Sequence, residues 1–191
     1  MLNKMDTVHW QNGWWTPARR VNSPNYTHRP LDCCVCLAVI HNISLPPFEY
    51  GSNAVEALFT NRIHEIADTP FLQSLTALRV SSHFFIDRSG AITQFVSCDE
   101  AAHHAGVSSF RGKEGCNAFS IGIELEGCDF EPFSEAQYLA LLNLLPEICQ
   151  AYPIEAVCGH QHIAPGRKSD PGHFFDWQRL QEAGLPAVSV V

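Results

Sequence analysis

Basic side chains are scarce in this chain: 12 Lys and Arg stand against 20 Asp and Glu, a formal charge of −8 over 191 residues. A nucleic-acid surface needs clustered cations to neutralise phosphates, so that class of partner is argued against. Long apolar runs are missing too. The longest uninterrupted one, Cys33 to Ile40, is far shorter than the ~20 residues that cross a bilayer, so no membrane span is expected. Met1 to Arg20 is polar and Trp-rich, without the apolar centre of a secretory leader, and the expected compartment is the cytoplasm. Internal repeats, low-complexity blocks and linkers are also lacking. With 46% apolar and 17% charged residues, the chain reads as one folded domain over residues 1–191. Residues 1–34 are expected to form an irregular arm broken by Pro17, Pro24 and Pro30.

Cysteine is the exception to this scarcity, with eight residues. Cys33, Cys34 and Cys36 crowd together and lack the second C-x-x-C half that a zinc knuckle needs. Without an export signal they are read as reduced thiols.

The hydrophobic pattern predicts an α/β (α+β) fold, a mixed central β-sheet flanked by helices. Cys36 to His41 reads as a buried central strand ending in a histidine. Asn53 to Thr60 reads as a short helix opened by an asparagine cap. His83 to Asp87 and Ala91 to Val96 form a hairpin around Arg88-Ser89-Gly90. In Phe119 to Glu126, Ile121, Ile123 and Leu125 point one way, while Ser120, Gly122, Glu124 and Glu126 point the other. Ser134 and Gln137 make a capping box for a helix to about Ala151, with a kink or break expected at Pro146. Glu155 to Cys158 is a last strand delivering His160, and Asp176 to Ala183 a terminal helix closed by Gly184.

Chemistry concentrates between Gly159 and Gly172, where His160, His162, Lys168 and Asp170 share a Gly/Pro-rich segment that is expected not to be helical. A histidine and an aspartate ten residues apart across a rigid turn can return to one point, and imidazole with carboxylate is a zinc-type donor set. The same residues suit a solvated surface turn. His41, at a strand end, is open to a metal role or a structural hydrogen bond. Glu124 and Glu126 share one strand face, which suits either acid–base work or an ordinary polar face. Gly122 and Gly127 beside them point to close approach of another group. Among the few cations, Arg79, Arg111, Lys113, Arg167 and Lys168 lie near these motifs, as a small anionic substrate would require.

Five segments occur in order: Val39-Ile40-His41-Asn42, Arg79 to His83 leading into the hairpin, His104-Ala105-Gly106, Phe119 to Gly127, and Gly159-His160 through Asp170-Pro171-Gly172. Together they resemble the zinc-dependent N-acetylmuramoyl-L-alanine amidases related to peptidoglycan-recognition domains. The resemblance spans about Gly13 to Trp177 and is strongest with the cytoplasmic, anhydro-muropeptide-cleaving branch. It implies that His41, His160 and Asp170 bind one Zn²⁺, that Glu124 is the catalytic acid/base and that Lys168 is the second catalytic residue. It also places Asn42, Arg79, His103 and the His104-Ala105-Gly106 loop in the substrate cleft. His162 is read as lying outside the ligand set. His103 stands where the family commonly has Trp, and Gly115 where it often has Arg, a charge that Lys113 could supply in part. The implied reaction is hydrolysis of the lactyl–L-alanine amide of 1,6-anhydro-N-acetylmuramoyl peptides in peptidoglycan recycling, by a monomer acting on a small anionic glycopeptide. A non-catalytic muropeptide-binding module, or a phage-type or secreted lysin of intact wall, is the competing expectation. The complete set of proposed ligands and catalytic residues argues against the first; the missing leader and wall-binding domain argue against the second.

Overall fold

Leu37-Ala38-Val39-Ile40 and Ile121-Gly122-Ile123-Glu124-Leu125 can bury both of their faces only at the middle of a covered sheet, and that is where they lie. The computed structural model describes residues 9–188. Its main sheet has six strands: β1 (Arg19–Arg20), β2 (Leu37–Ile43), β3 (Phe84–Ile86), β4 (Ile92–Gln94), β5 (Ser120–Glu126) and β6 (Ala156–Gly159). Their spatial order is β6-β2-β5-β3-β4-β1. Strands β6, β2, β5 and β3 run parallel, β3 and β4 form the expected antiparallel hairpin, and β1 lies parallel to β4 at the edge. At the hairpin turn the Asp87 carboxylate accepts the N–H groups of Ser89 and Ala91, and Gly90 takes a φ of 86°. That is the left-handed turn conformation a glycine adopts without strain.

Among the described residues, five α-helices flank the sheet: α1 (Ala54–Phe59), α2 (Pro70–Ser74), α3 (Glu135–Ala151), the single turn α4 (His160–Ile163) and α5 (Trp177–Glu182). Helix α3 begins with the expected capping box, in which Ser134 accepts from the Gln137 N–H and Gln137 accepts from the Ser134 N–H. Its stripe of Leu141, Leu144, Leu145 and Ile148, each at 0% exposure, packs on the β2 and β5 face that carries Ala38, Ile40, Ile121 and Ile123. Burial of each such side chain contributes about 1.5–3 kcal/mol. That packing outweighs the loss of one N–H at Pro146, and the helix runs unbroken through it. The opposite sheet face carries Leu37, Val39 and His41. It is covered by the 105–119 and α4 region and, farther along, by α1 with Val55, Leu58 and Phe59.

Three local expectations are corrected. Asn53 precedes α1, but its side chain makes no capping bond. Residues 9–34 of the N-terminal arm are more ordered than its prolines suggest: Trp15 enters the main core, Arg19–Arg20 extends the sheet, and Tyr26–His28 pairs with Glu100–Ala102, while residues 1–8 of the arm lie outside the described residues. The segment from Gly159, expected not to be helical, starts with a helical turn over His160–Ile163. The terminal helix is as expected, with the Asp176 side chain accepting from Gln178 and Gly184 at φ 72° beyond it.

Candidate metal centre and catalytic cleft

Parallel strands place their carboxyl ends together, and the candidate residues collect at that edge. In the β2–β5 register His41 is the direct neighbour of Glu124, and β6 pairs Gly159 with Ile40, so His160 emerges one step beyond, beside His41. The loop after α4 returns Asp170 to the same point. His41 Nδ1 lies 3.0 Å from His160 Nδ1 and 2.9 Å from Asp170 Oδ2, and His160 Nδ1 lies 3.1 Å from that oxygen. Four bonds of about 2.0–2.1 Å to a tetrahedral zinc put ligand atoms about 3.3 Å apart, so this triangle needs to open by only a few tenths of an ångström. Among the described residues, it is the group of His, Cys, Asp or Glu side chains placed to hold a metal ion.

The donor chemistry fits a cation. His160 Nε2 lies 3.0 Å from the Ala105 carbonyl oxygen, which can only accept, so the ring proton sits on Nε2 and leaves Nδ1 bare. Burial pushes the His41 pKa below its ordinary value and favours the neutral imidazole that a metal requires. Bare imidazole nitrogen and carboxylate oxygen converging at these distances repel one another unless a cation lies between them.

The two glutamates of β5 separate cleanly. Glu126 Oε1 accepts the Gly51 N–H at 2.5 Å and Oε2 accepts the Arg88 N–H at 3.0 Å, so this carboxylate ties two loops to the strand. Glu124 is 9% exposed, and its buried Oε2 has no hydrogen-bond partner. Burial raises its pKa well above the ordinary 4.5, the negative charge of Asp170 adds to the rise, and the Lys168 ammonium opposes it. An unpartnered carboxyl held ready to exchange a proton beside a metal-type cluster is equipped for acid–base work.

A cavity of about 260 Å³ joins these groups; His41, Glu124, His160, Lys168 and Asp170 line it together with Asn42, Phe59, Leu78, Val80 and His103. A larger cavity of about 630 Å³, lined by Asn12, Trp14, Arg20 and Phe95 among others, contains none of the candidate groups. The Asn42 amide donates to Asp129 Oδ1, which holds it at the rim. Arg79 is exposed and donates to the Thr76 and Leu78 carbonyls, so its guanidinium braces the loop that presents Leu78 and Val80. His104 lines the cavity with a buried ring, while Ala105 meets His160 through its carbonyl and neither Ala105 nor Gly106 lines the cavity. His162 accepts the Gly159 N–H and stacks near Trp177, outside the ligand cluster. The Lys113 ammonium sits over the Phe119 ring, and Gly115, at φ 72°, opens the turn before Cys116; neither residue lines the cavity.

The close approaches expected at the two glycines are present. A Cβ on Gly122 would meet the His104 ring at 2.5 Å, and one on Gly127 would meet Phe133 at 2.6 Å. Sequence reasoning did not find Asn117, whose side-chain oxygen accepts the N–H groups of His104 and Ala105 and which carries no pattern of its own in the sequence. Arg167, noted there only as a cation near the motifs, donates to the Ala105 carbonyl.

A family model described as N-acetylmuramoyl-L-alanine amidase matches residues 35–173. The chain belongs to this family. It is 49% identical over 173 residues to the 1,6-anhydro-N-acetylmuramyl-L-alanine amidase AmpD of Escherichia coli (strain K12), covering 90% of this chain and 94% of that one. A crystal structure of a selenomethionine AmpD derivative superposes with a TM-score of 0.87 at 48% identity, over 91% of this chain and 97% of its own. The N-acetylmuramyl-L-alanine amidase AmiD of E. coli, solved with the substrate anhydro-N-acetylmuramic acid-L-Ala-D-gamma-Glu-L-Lys, matches with a TM-score of 0.60 at 29% identity, over 85% and 67% of the two chains.

Proposed function

We propose that this protein hydrolyses the amide joining the lactyl carbonyl of 1,6-anhydro-N-acetylmuramic acid to the first L-alanine of a stem peptide, in the recycling of peptidoglycan fragments. The observation that carries the reading is the unpartnered, buried Glu124 carboxyl in one cavity with the His41, His160 and Asp170 donor triangle. The AmpD relatives and the substrate bound to AmiD support the choice of bond.

One Zn²⁺ held by His41, His160 and Asp170 would supply the Lewis acid that polarises the scissile carbonyl and makes water more acidic. Glu124 takes a proton from the attacking water, then returns it to the alanine nitrogen as the C–N bond breaks. A carboxyl with a raised pKa suits both halves of that transfer. The Lys168 ammonium on the cavity wall stabilises the negative charge that gathers on the carbonyl oxygen. Asn42 and His103 bind sugar and peptide against the apolar Phe59, Leu78 and Val80 wall. Arg79 contributes through the loop it braces, and Ala105 through the His160 ring that its carbonyl holds. The reading takes residues 1–191 as one amidase domain acting as a cytoplasmic monomer. No helix among the described residues is long and apolar enough to cross a membrane.

The test is mass spectrometry of products from the zinc-loaded protein given anhydro-N-acetylmuramoyl tripeptide in one reaction and whole sacculi in another. Free tripeptide from the first, with little release from the second, is expected. Binding without cleavage, or preferential release from sacculi, overturns the assignment.

A further inference from the structure

The two nitrogens of His41 face different worlds. Nδ1 points into the donor triangle, while Nε2 lies 2.9 Å from Nδ1 of His104. His104 Nε2 in turn lies 3.0 Å from the Ser120 hydroxyl oxygen, and that oxygen lies 2.6 Å from the Cys116 carbonyl oxygen. We propose that His104 is a positioning residue, fixing the His41 tautomer so that Nδ1 is left bare for the metal, and that strand β5 is built to seat it. The proposal rests on the zinc reading above and deepens it.

The direction of the relay follows from its far end. A carbonyl has no proton to give, so the Ser120 hydroxyl donates to Cys116. Its lone pairs then accept from His104 Nε2–H. A neutral imidazole protonated on Nε2 has a bare Nδ1, which accepts from His41 Nε2–H. His41, neutral and protonated on Nε2, presents a lone pair on Nδ1 to the donor triangle. Reversing any link leaves two protons or two lone pairs facing each other.

The seat is equally specific. Gly122 lies on the same β5 face as Ser120 and Glu124, and a Cβ there would stand 2.5 Å from His104 Cγ and 2.7 Å from Nδ1. Its φ is not in the left-handed region, so glycine is required here for space and not for backbone freedom. The backbone of the same step is pinned as well. Asn117 Oδ1 accepts from the N–H groups of His104 at 3.1 Å and Ala105 at 2.7 Å, and Arg167 donates to the Ala105 carbonyl at 2.9 Å. That carbonyl also faces His160 Nε2 at 3.0 Å. Residues 104 and 105 therefore orient both histidine donors, one through a side chain and the other through the backbone. Alternate positions of one strand, Ser120, Gly122 and Glu124, hold the relay, seat it and supply the proton-transfer group.

The experiment reads zinc affinity, by competition with a chromophoric chelator, on variants first shown by circular dichroism to be folded. His104→Phe keeps a ring but removes the acceptor, while His104→Asn keeps an amide oxygen near the position of Nδ1. Loss of an outer hydrogen-bond partner of a metal ligand weakens binding by about 10–100-fold. That rise in Kd is expected for His104→Phe, with substantial recovery in His104→Asn. Gly122→Ala should raise Kd although it removes no polar group, and Ser120→Ala should give a smaller rise of the same sign; these two also serve if the phenylalanine variant does not fold. With Co²⁺ as a probe, the tetrahedral absorption band of the wild type should shift in His104→Phe and be restored in His104→Asn. Wild-type affinity in His104→Phe, or equal weakening in the Phe and Asn variants, overturns the proposal. A wild-type protein whose zinc binding is no stronger than that of His41→Ala overturns the zinc reading instead.

Discussion

Replacing Glu124 and Glu126 one at a time by glutamine should produce opposite phenotypes from neighbouring positions on one strand face. Glu126 accepts two backbone N–H groups, from Gly51 and Arg88, and is 3% exposed. Glutamine offers one oxygen, so one of those donors would face an NH₂ group. Losing one hydrogen bond to a charged group in a buried place costs about 1.5–3 kcal/mol. For a chain of this size, that lowers Tm by about 3–12 °C. Glu126→Gln should therefore melt earlier while its kcat on the anhydro-tripeptide stays within a few-fold of wild type. Glu124→Gln removes the proton-transfer group, and kcat should fall by about 10²–10⁴-fold, or about 3–5 kcal/mol of transition-state stabilisation. Its zinc content should be unchanged.

The stability of the metal-free protein should respond in the other direction. The raised Glu124 pKa means that the folded state binds more protons than the unfolded state above the ordinary 4.5. Stability then falls as pH rises from about that value towards the folded-state pKa, because a buried carboxyl without a partner is forced to ionise. Glu124→Gln abolishes this slope. With chelator present, its Tm advantage over wild type should grow from pH 4.5 towards neutrality. Scanning calorimetry across that range, with initial rates from the zinc-loaded proteins, checks both halves. Equal activity losses in the two variants, or a Tm difference that does not change with pH, would refute the division of labour between the glutamates.

Three further outcomes follow from the same geometry. His41→Ala should reduce zinc from about one per chain, measured by elemental analysis after dialysis; undiminished zinc would remove His41 from the donor set. Lys168 is exposed on the cavity wall, so Lys168→Ala should leave Tm nearly unchanged and lower kcat about 10²–10³-fold with a smaller effect on KM; full kcat would exclude an oxyanion role. His103 lines the cavity without belonging to the donor triangle, so His103→Trp should change KM and the ratio of anhydro to reducing-end muropeptide cleavage at constant zinc content, and an unchanged ratio would place selectivity elsewhere.

Much of this was legible in residue order. The alternation from Ser120 to Glu126 marked a strand with a split face, and Gly122 within it and Gly127 just past its end marked close approach by something else; the approaching groups are the rings of His104 and Phe133. Ser134 and Gln137 marked the start of α3 because a capping box is a contact among four consecutive residues. Of the kink or break expected at Pro146 the break does not occur, because a local penalty is outweighed by burial of four aliphatic side chains against the sheet. The expectation of a non-helical Gly159 to Gly172 segment failed over only its first turn, where one helical turn carries His160 towards His41.

By itself the sequence determined which side chains are available and along which strand face they alternate, because both follow from periodicity over a few residues. It also set the order of the motifs that led to His41, Glu124, His160 and Asp170. Only the tertiary structure showed what sets Glu124 and Glu126 apart physically, since the donors that satisfy the Glu126 carboxylate come from Gly51 and Arg88, 75 and 38 residues away. It also turned Arg79 onto its own loop and placed His104 behind His41, 63 residues distant in sequence. The partner of a buried polar group is chosen by whatever chain packs against it, and that choice leaves no trace in the neighbouring residues.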